Sequence, residues 1–91
     1  MEERTLPVNE NSRGSGVLPS LVLYNDDINT FDHVIKSLVE ICGHDPIQAE
    51  QCALIVHFSG SCDVKSGSRE MLESMSSLLN AKGMKAEVLI T

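Results

Sequence analysis

Three stretches of helical apolar spacing, each followed by a glycine, constrain most strongly what this 91-residue chain can fold into. Apolar side chains recur three and four positions apart over 30–42, 46–58 and 71–79, which is the pattern of a helix that buries one face. Glycine commonly ends a helix because it adopts the left-handed conformation without strain. The sequence therefore predicts three amphipathic helices, followed by Gly43, Gly60 and Gly83.

Polar residues that cap helix N-termini precede these stretches. Asn29 suits the N-cap of the first helix, and Asp45 followed by Pro46 is a typical start for the second. Either Ser66 or Ser68 can cap the third helix. The expected inward positions are Ala49, Cys52, Ala53 and Val56 on the second helix and Met71, Leu72, Met75, Leu78 and Leu79 on the third.

Short segments with strand character surround the helices. Leu21 to Tyr24 is an apolar run with β-forming side chains. Residues 62–66 alternate between polar and apolar, which fits a second strand and, over five residues, a loop almost as well. The chain ends in a third alternating segment, residues 85–91. The predicted class is α+β, a small three-stranded sheet with three helices packed on one face in the order β-α-α-β-α-β.

The N-terminal segment differs in composition from the rest of the chain. Residues 1–17 are rich in Glu, Asn, Ser and Gly and show no apolar period, so they cannot bury enough surface to offset the entropy of ordering. We therefore expect a flexible tail over 1–17 and one folded domain over 18–91.

Charge and hydropathy exclude several classes of partner. The net charge of −6 repels phosphate backbones and anionic lipids, so neither nucleic acid nor a membrane surface is an expected partner. No apolar run approaches the roughly 20 residues that span a bilayer, and the N-terminus lacks the apolar segment of a secretory signal. We expect a cytosolic protein.

The cysteines and histidines give no pattern that is typical of an enzyme. The three cysteines form no close pair, and we expect them to be buried or half-buried thiols in a reducing compartment. Cys52 and His57 lie about 140° apart on one predicted helix, which argues against a catalytic dyad. His33 and His44 are expected to be exposed, and no spacing suits a shared metal. We predict no enzyme, no metal and no cofactor.

One junction carries the strongest functional signal. The first strand stops at Asn25, Asp26 and Asp27, and Asp32 follows closely, so the surface there should attract a cation such as a protonated amine. By residue type alone these are ordinary turn formers. A single histidine near the end of an apolar helix, such as His57, is more often a surface or core residue than a binding residue. Residue types therefore leave both a simple turn and a binding site open.

The combination of these residues resembles a known family. Asn25-Asp26-Asp27 after a strand, with Val56-His57 and then Gly60 farther along, is similar to the ClpS family of adaptors, which recognise N-degrons for the Clp protease. The resemblance runs from about Leu21 to the C-terminus and implies a ClpS-like fold of the predicted order. It also implies which residues bind the free α-amino group and the start of a peptide, namely Asn25, Asp26, Asp27, Asn29 and His57.

The resemblance further implies an apolar pocket for the first side chain of that peptide. Phe31 and Ala53 stand where methionine is common in the family, and Asn29 stands where threonine is common. We therefore expect a retained amine site and a reshaped pocket, although plain core packing explains the same helical spacing. The implied pocket residues are Phe31, Val34, Ala53, Val56 and Ala86.

Three functional hypotheses follow. The resemblance implies a monomeric adaptor that binds proteins with a large hydrophobic first residue and delivers them to a ClpA- or ClpC-type unfoldase, whose N-terminal domain it contacts. The alternative is a module that docks on the unfoldase and changes its substrate choice without reading N-termini. The third is a small thiol or metal enzyme. Charges near the start of the third helix, at Arg69, Glu70 and Glu73, depart from the family's docking surface.

Overall fold

The elements follow the predicted order. The computed structural model describes residues 18–90, so the predicted tail over 1–17 and the last residue, Thr91, lie outside the described residues. The β-α-α-β-α-β order and the α+β class are confirmed. The strands and helices are β1 (Ser20–Tyr24), α1 (Phe31–Cys42), α2 (Pro46–Ser59), β2 (Ser61–Ser66), α3 (Arg69–Ala81) and β3 (Lys85–Leu89).

The sheet has the order β2-β1-β3, with β1 in the centre and antiparallel to both neighbours. The segment that fitted a strand or a loop is therefore a strand. Tyr24, the last residue of β1, lies opposite Ser61 of β2 and Lys85 of β3. The turn that follows β1 consequently lies beside the end of α2 on one side and the start of β3 on the other.

Capping residues explain where the helices begin. Thr30, and not Asn29 as predicted, is the N-cap of α1, and its hydroxyl oxygen accepts a hydrogen bond from the His33 N–H at 3.1 Å. The prediction was wrong because the Asn29 side chain is engaged elsewhere, with Asp26 and Gly83. The caps of the other two helices are Asp45 and Ser68.

The core lies between the sheet and the helices and is mainly aliphatic. The inward stripe predicted for α2 is buried apart from Cys52, which is half-buried. On α3 the prediction was too broad, because Met71 and Leu78 are exposed. Each lies one residue, or about 100° of helix, away from a fully buried leucine. The core residues are Leu21, Leu23, Leu38, Cys42, Ala49, Val56, Val64, Leu72, Leu79 and Met84.

His44 was predicted to be exposed but is buried, with only 4% of its surface accessible. Its Nε2 lies 2.7 Å from the carbonyl oxygen of Val64, which ties the turn between α1 and α2 to strand β2. His33 is half-buried, with Nε2 3.1 Å from the Lys82 carbonyl oxygen. Neither histidine projects freely into solvent, because each contacts the backbone of a distant element.

His44→Ala should lower the free energy of unfolding by about 2 kcal/mol, because it removes a buried hydrogen bond and leaves a void. Urea unfolding at neutral pH measures the change. The control is Ile47→Ala on α2, where the side chain is 69% exposed and the expected change is within about 0.5 kcal/mol. Equal unfolding midpoints for the two variants would contradict the role given to His44.

Candidate functional site

A cavity of about 410 Å³ opens where β1 ends. Four parts of the chain surround it: the end of β1 with the loop that follows, the first turn of α1, the second half of α2, and the residue before β3. Polar residues and apolar residues both contribute to its wall. The lining residues are Leu23, Tyr24, Asn25, Asp26, Asp27, Asn29, Phe31, Val34, Ala53, Val56, His57 and Met84.

One backbone hydrogen bond brings the two sequence-distant parts of this site together. The Asn25 N–H donates to the Gly60 carbonyl oxygen at 2.9 Å. Gly60 ends α2 with a φ of 95°, a conformation that favours glycine, and its own N–H donates to the Val56 carbonyl. The chain therefore reverses at Gly60, three residues after His57, and places the end of α2 beside the loop that follows β1.

Asp26 shapes that loop. Its Oδ1 accepts hydrogen bonds from the backbone N–H groups of Ile28 and Asn29, each at 2.9 Å, and its Oδ2 accepts one from the Asn29 amide at 2.9 Å. The bond from the Asn29 backbone is the main cause of a lowered pKa of Asp26, which partial burial opposes. Asp26 is therefore ionised at neutral pH and holds the loop closed.

Asn29 joins the same loop to the turn between α3 and β3. Its side-chain amide also donates to the Gly83 carbonyl oxygen at 2.9 Å. An amide carries two N–H donors, so it can reach Asp26 and Gly83 together, whereas a threonine hydroxyl has one donor. This double contact gives a physical reason for asparagine at a position where threonine is common in the family that the sequence resembles.

Three polar side chains of the lining are open to a ligand. Within residues 18–90, the side chains of Asn25, Asp27 and His57 make no hydrogen bond to other parts of the protein, and all three residues are exposed. They offer an amide oxygen, a carboxylate and an imidazole nitrogen. These acceptors, arranged around one opening, suit a group with several N–H donors.

The apolar part of the lining contains four of the five predicted pocket residues. Phe31 and Val34 come from α1, and Ala53 and Val56 come from α2. Val56 is also part of the core, so this wall of the cavity is continuous with the protein interior. Phe31 is 37% exposed and lies at the N-terminus of its helix.

Ala86 does not line this cavity, and its predicted place in the pocket is corrected. It pairs with Leu23 within the sheet and borders a shallow groove between α3 and β3. Met84 lines the cavity instead, because it lies two residues, roughly 7 Å, nearer the turn after β1. If the sequence after Gly60 had been aligned to the family two positions differently, Met84 would have been predicted in place of Ala86. Sequence reasoning also missed Leu23 and Tyr24.

The hypothesis of a thiol or metal enzyme depends on the cysteines and on possible metal ligands. The three cysteines are free thiols, as expected. Burial raises the pKa of Cys42 to about 11 and that of Cys62 to about 12, so both are protonated at neutral pH and are poor nucleophiles. Among residues 18–90, no three His, Cys, Asp or Glu side chains are grouped to hold a metal ion. In the same part of the chain, the helices are too short or too polar to cross a membrane.

Asn29→Thr should lower the free energy of unfolding at pH 7 by about 1 kcal/mol, because the single hydroxyl donor of threonine cannot serve both Asp26 and Gly83. The pKa of Asp26 is lower in the folded protein than in the unfolded chain, where it is about 4. Ionised Asp26 therefore contributes fully to the stability of the fold above about pH 4, and this contribution is lost as the pH falls through the pKa of the folded protein. The difference between the variant and the parent protein should therefore shrink in acid. Urea unfolding at several pH values between 7 and 2 measures it.

The control for this experiment is Asn25→Ala. The Asn25 side chain makes no hydrogen bond within residues 18–90, so we expect a change within about 0.5 kcal/mol at every pH. An Asn29→Thr protein as stable as its parent at pH 7 would show that the loop does not need the amide.

Comparisons with known proteins give the fold and the family of this chain. A solved structure described as Agrobacterium tumefaciens ClpS2 bound to L-phenylalaninamide matches with a TM-score of 0.78 and 17% sequence identity, over 82% of this chain and 98% of that chain. At this identity the likeness shows the fold. A search among curated proteins found no match. The family model described as ATP-dependent Clp protease adaptor protein ClpS matches residues 19–87. This chain therefore belongs to the ClpS family of Clp protease adaptors.

Proposed function

We propose that this protein binds the free N-terminus of substrates that carry a large hydrophobic first residue and delivers them to a Clp unfoldase-protease for degradation. One observation carries the proposal. The cavity combines an apolar interior with hydrogen-bond acceptors at its polar side, and the acceptors have no partner within residues 18–90. A large hydrophobic N-terminal residue matches both parts, because its side chain is apolar and its ammonium group donates hydrogen bonds.

The polar side of the cavity suits an ammonium group in particular. An ammonium has three donors and no acceptor, and Asn25, Asp27 and His57 can each accept a hydrogen bond from it. Asp26 adds negative potential, because its lowered pKa keeps it ionised at neutral pH. Hydrogen bonds to a charged group contribute more than those between neutral groups. A blocked N-terminus would lose both the charge and most of the donors.

The cavity is large enough for a large apolar side chain. A volume of about 410 Å³ is at the small end of the range for ligand sites, and apolar residues form most of its interior. Met84 and Val56 line the cavity and also belong to the core, so core packing holds this wall in place. Leucine, phenylalanine and tyrosine are the residues we expect to bind.

The related structure supports the same ligand chemistry. L-phenylalaninamide, bound by ClpS2 of Agrobacterium tumefaciens, has a free α-amino group, an apolar side chain and an amide in place of its carboxylate. It therefore resembles the first residue of a protein chain. The likeness in fold makes the same kind of ligand a reasonable expectation for the present cavity.

Delivery requires a second contact, with the unfoldase. We propose that the partner is the N-terminal domain of a ClpA- or ClpC-type unfoldase, that the adaptor acts as a cytosolic monomer without catalysis or a cofactor, and that residues 1–17 take part in handing over the substrate. The alternative remains a protein that docks on the unfoldase without reading N-termini. The two hypotheses differ in whether a free N-terminus matters.

Acetylation of the N-terminus should therefore weaken peptide binding strongly. Replacement of either Asn25 or His57 by alanine should cost about 1.5 to 3 kcal/mol, or roughly 10- to 150-fold in the dissociation constant, because a hydrogen bond to a charged group is lost. Fluorescence anisotropy with a labelled Leu-peptide and its acetylated form measures both effects.

The matched control is Gln51→Ala, an exposed residue of α2 outside the cavity, for which we expect no change in affinity. Equal binding of free and acetylated peptides would contradict the proposal and favour the alternative.

The shape of the cavity should select among first residues. Phe31 at the first turn of α1 is rigid, and side chains branched at Cβ, those of isoleucine and valine, should collide with its ring. Phe31→Ala should therefore raise the affinity for Ile- and Val-peptides relative to Leu-peptides. Ala53→Met should fill the interior and selectively weaken Phe- and Tyr-peptides.

The same anisotropy assay, with peptides that differ only in the first residue, measures these rankings. An unchanged ranking in Phe31→Ala would show that its ring belongs to the core and does not select the ligand.

A further inference from the structure

Two exposed apolar residues are the direct sequence neighbours of polar residues that line the cavity, but they do not line it themselves. Ile28 is 86% exposed and Phe58 is 79% exposed, the highest values among the large hydrophobic residues that the structure describes. Ile28 directly follows Asp27, and Phe58 directly follows His57, so each adjoins a lining residue that is open to a ligand. We refer to Ile28 and Phe58 together as the apolar rim.

The geometry fixes both members of the rim. The Phe58 ring contacts the His57 ring edge-on, with centroids 4.8 Å apart and an angle of 78° between the planes. The apolar surface of Phe58 therefore begins where the polar lining ends. Ile28 lies in the loop that Asp26 closes, and its backbone N–H is bonded to that carboxylate at 2.9 Å. Both side chains are thus presented from positions held by specific contacts.

Neither side chain contributes to the core, and exposure of large apolar groups has a cost in solubility. Leu54, one helical turn before Phe58, is also partly exposed and extends the apolar surface along α2. Their position next to a binding cavity suggests which ligand group covers them. In the proposed complex the first side chain fills the cavity and the acceptors hold the amine. The second residue then lies outside the cavity, beside the polar lining residues that Ile28 and Phe58 adjoin.

We propose that Ile28 and Phe58 form a subsite for the second side chain of a bound peptide and that this subsite favours large apolar residues over small or polar ones. The inference rests on the proposed function, because it concerns the same bound N-terminus. It adds a second specificity determinant, built from residues outside the cavity. Burial of part of an apolar side chain against two others predicts a preference of about five- to tenfold.

The test uses the full chain and two sets of peptides. All peptides begin with leucine and share the same remainder, but the second residue is phenylalanine or leucine in one set and glycine or serine in the other. Anisotropy gives a dissociation constant for each, and the measured quantity is the ratio between the sets. We expect a ratio of about five to ten in the parent protein, falling below about two in a protein with both Ile28→Ala and Phe58→Ala.

Two further variants make the result specific. Ile47→Ala removes another exposed apolar residue from α2, roughly 16 Å along the helix from Phe58, and should leave the ratio unchanged. Phe58→Leu keeps an apolar side chain but removes the ring that contacts His57, and should keep most of the preference. A proportional loss of affinity for both sets in Phe58→Ala, with the ratio preserved, would mean that Phe58 acts on His57 and would overturn the subsite.

The failure of this inference differs from the failure of the proposed function. Tight binding of free but not acetylated peptides, with both sets bound equally, would overturn the subsite alone. Equal binding of acetylated and free peptides, or no binding of either, would overturn the N-terminal recognition on which the subsite depends. The subsite would be supported if the ratio of dissociation constants between the two peptide sets fell towards one in the double variant and stayed at its parent value in Ile47→Ala.

Discussion

The candidate site depends on the hydrogen bond between the Asn25 N–H and the Gly60 carbonyl oxygen. It joins the end of the central strand to the end of α2, which are far apart in the sequence. It lies next to the pair that Tyr24 and Ser61 form in the sheet. Together these contacts keep the end of α2, with His57, beside Asn25. The bond forms because Gly60 turns the chain in a left-handed conformation and then starts β2, which pairs with β1 in antiparallel register. The sheet and the helix end thus fix each other.

A second set of hydrogen bonds attaches the loop after β1 to the turn between α3 and β3. Asp26 and Asn29 bind each other, and Asn29 also reaches the backbone of Gly83, directly before Met84. The loop is therefore fixed both to α2 and to the turn before β3, and the cavity lies between these attachments. Because Val56 and Met84 belong to the core as well as to the cavity wall, the protein's stability and the shape of the site rest on the same packing.

The aspartates near the end of β1 make different contacts in the structure. Three aspartates near one strand end suggested a single negative surface, but their environments differ. The carboxylate of Asp26 accepts hydrogen bonds from the loop backbone. Asp27 makes no side-chain hydrogen bond within residues 18–90, and it lines the cavity as an exposed residue. Residue type could not distinguish them, since either can close a turn. The same holds for the histidines, of which His57 is open to solvent and His44 is buried against Val64.

The sequence alone determined the order of the elements and most of the cavity lining. Helical spacing, the acid before Pro46 and the glycines after each helix are local signals, and the resemblance joined Asn25 to His57 across the chain. The tertiary structure decided what depends on contacts between distant elements. Met84 takes the place predicted for Ala86 because strand register sets which residue lies level with the loop. Thr30 caps α1 because Asn29 is held by Asp26 and Gly83, a contact that no local pattern reveals.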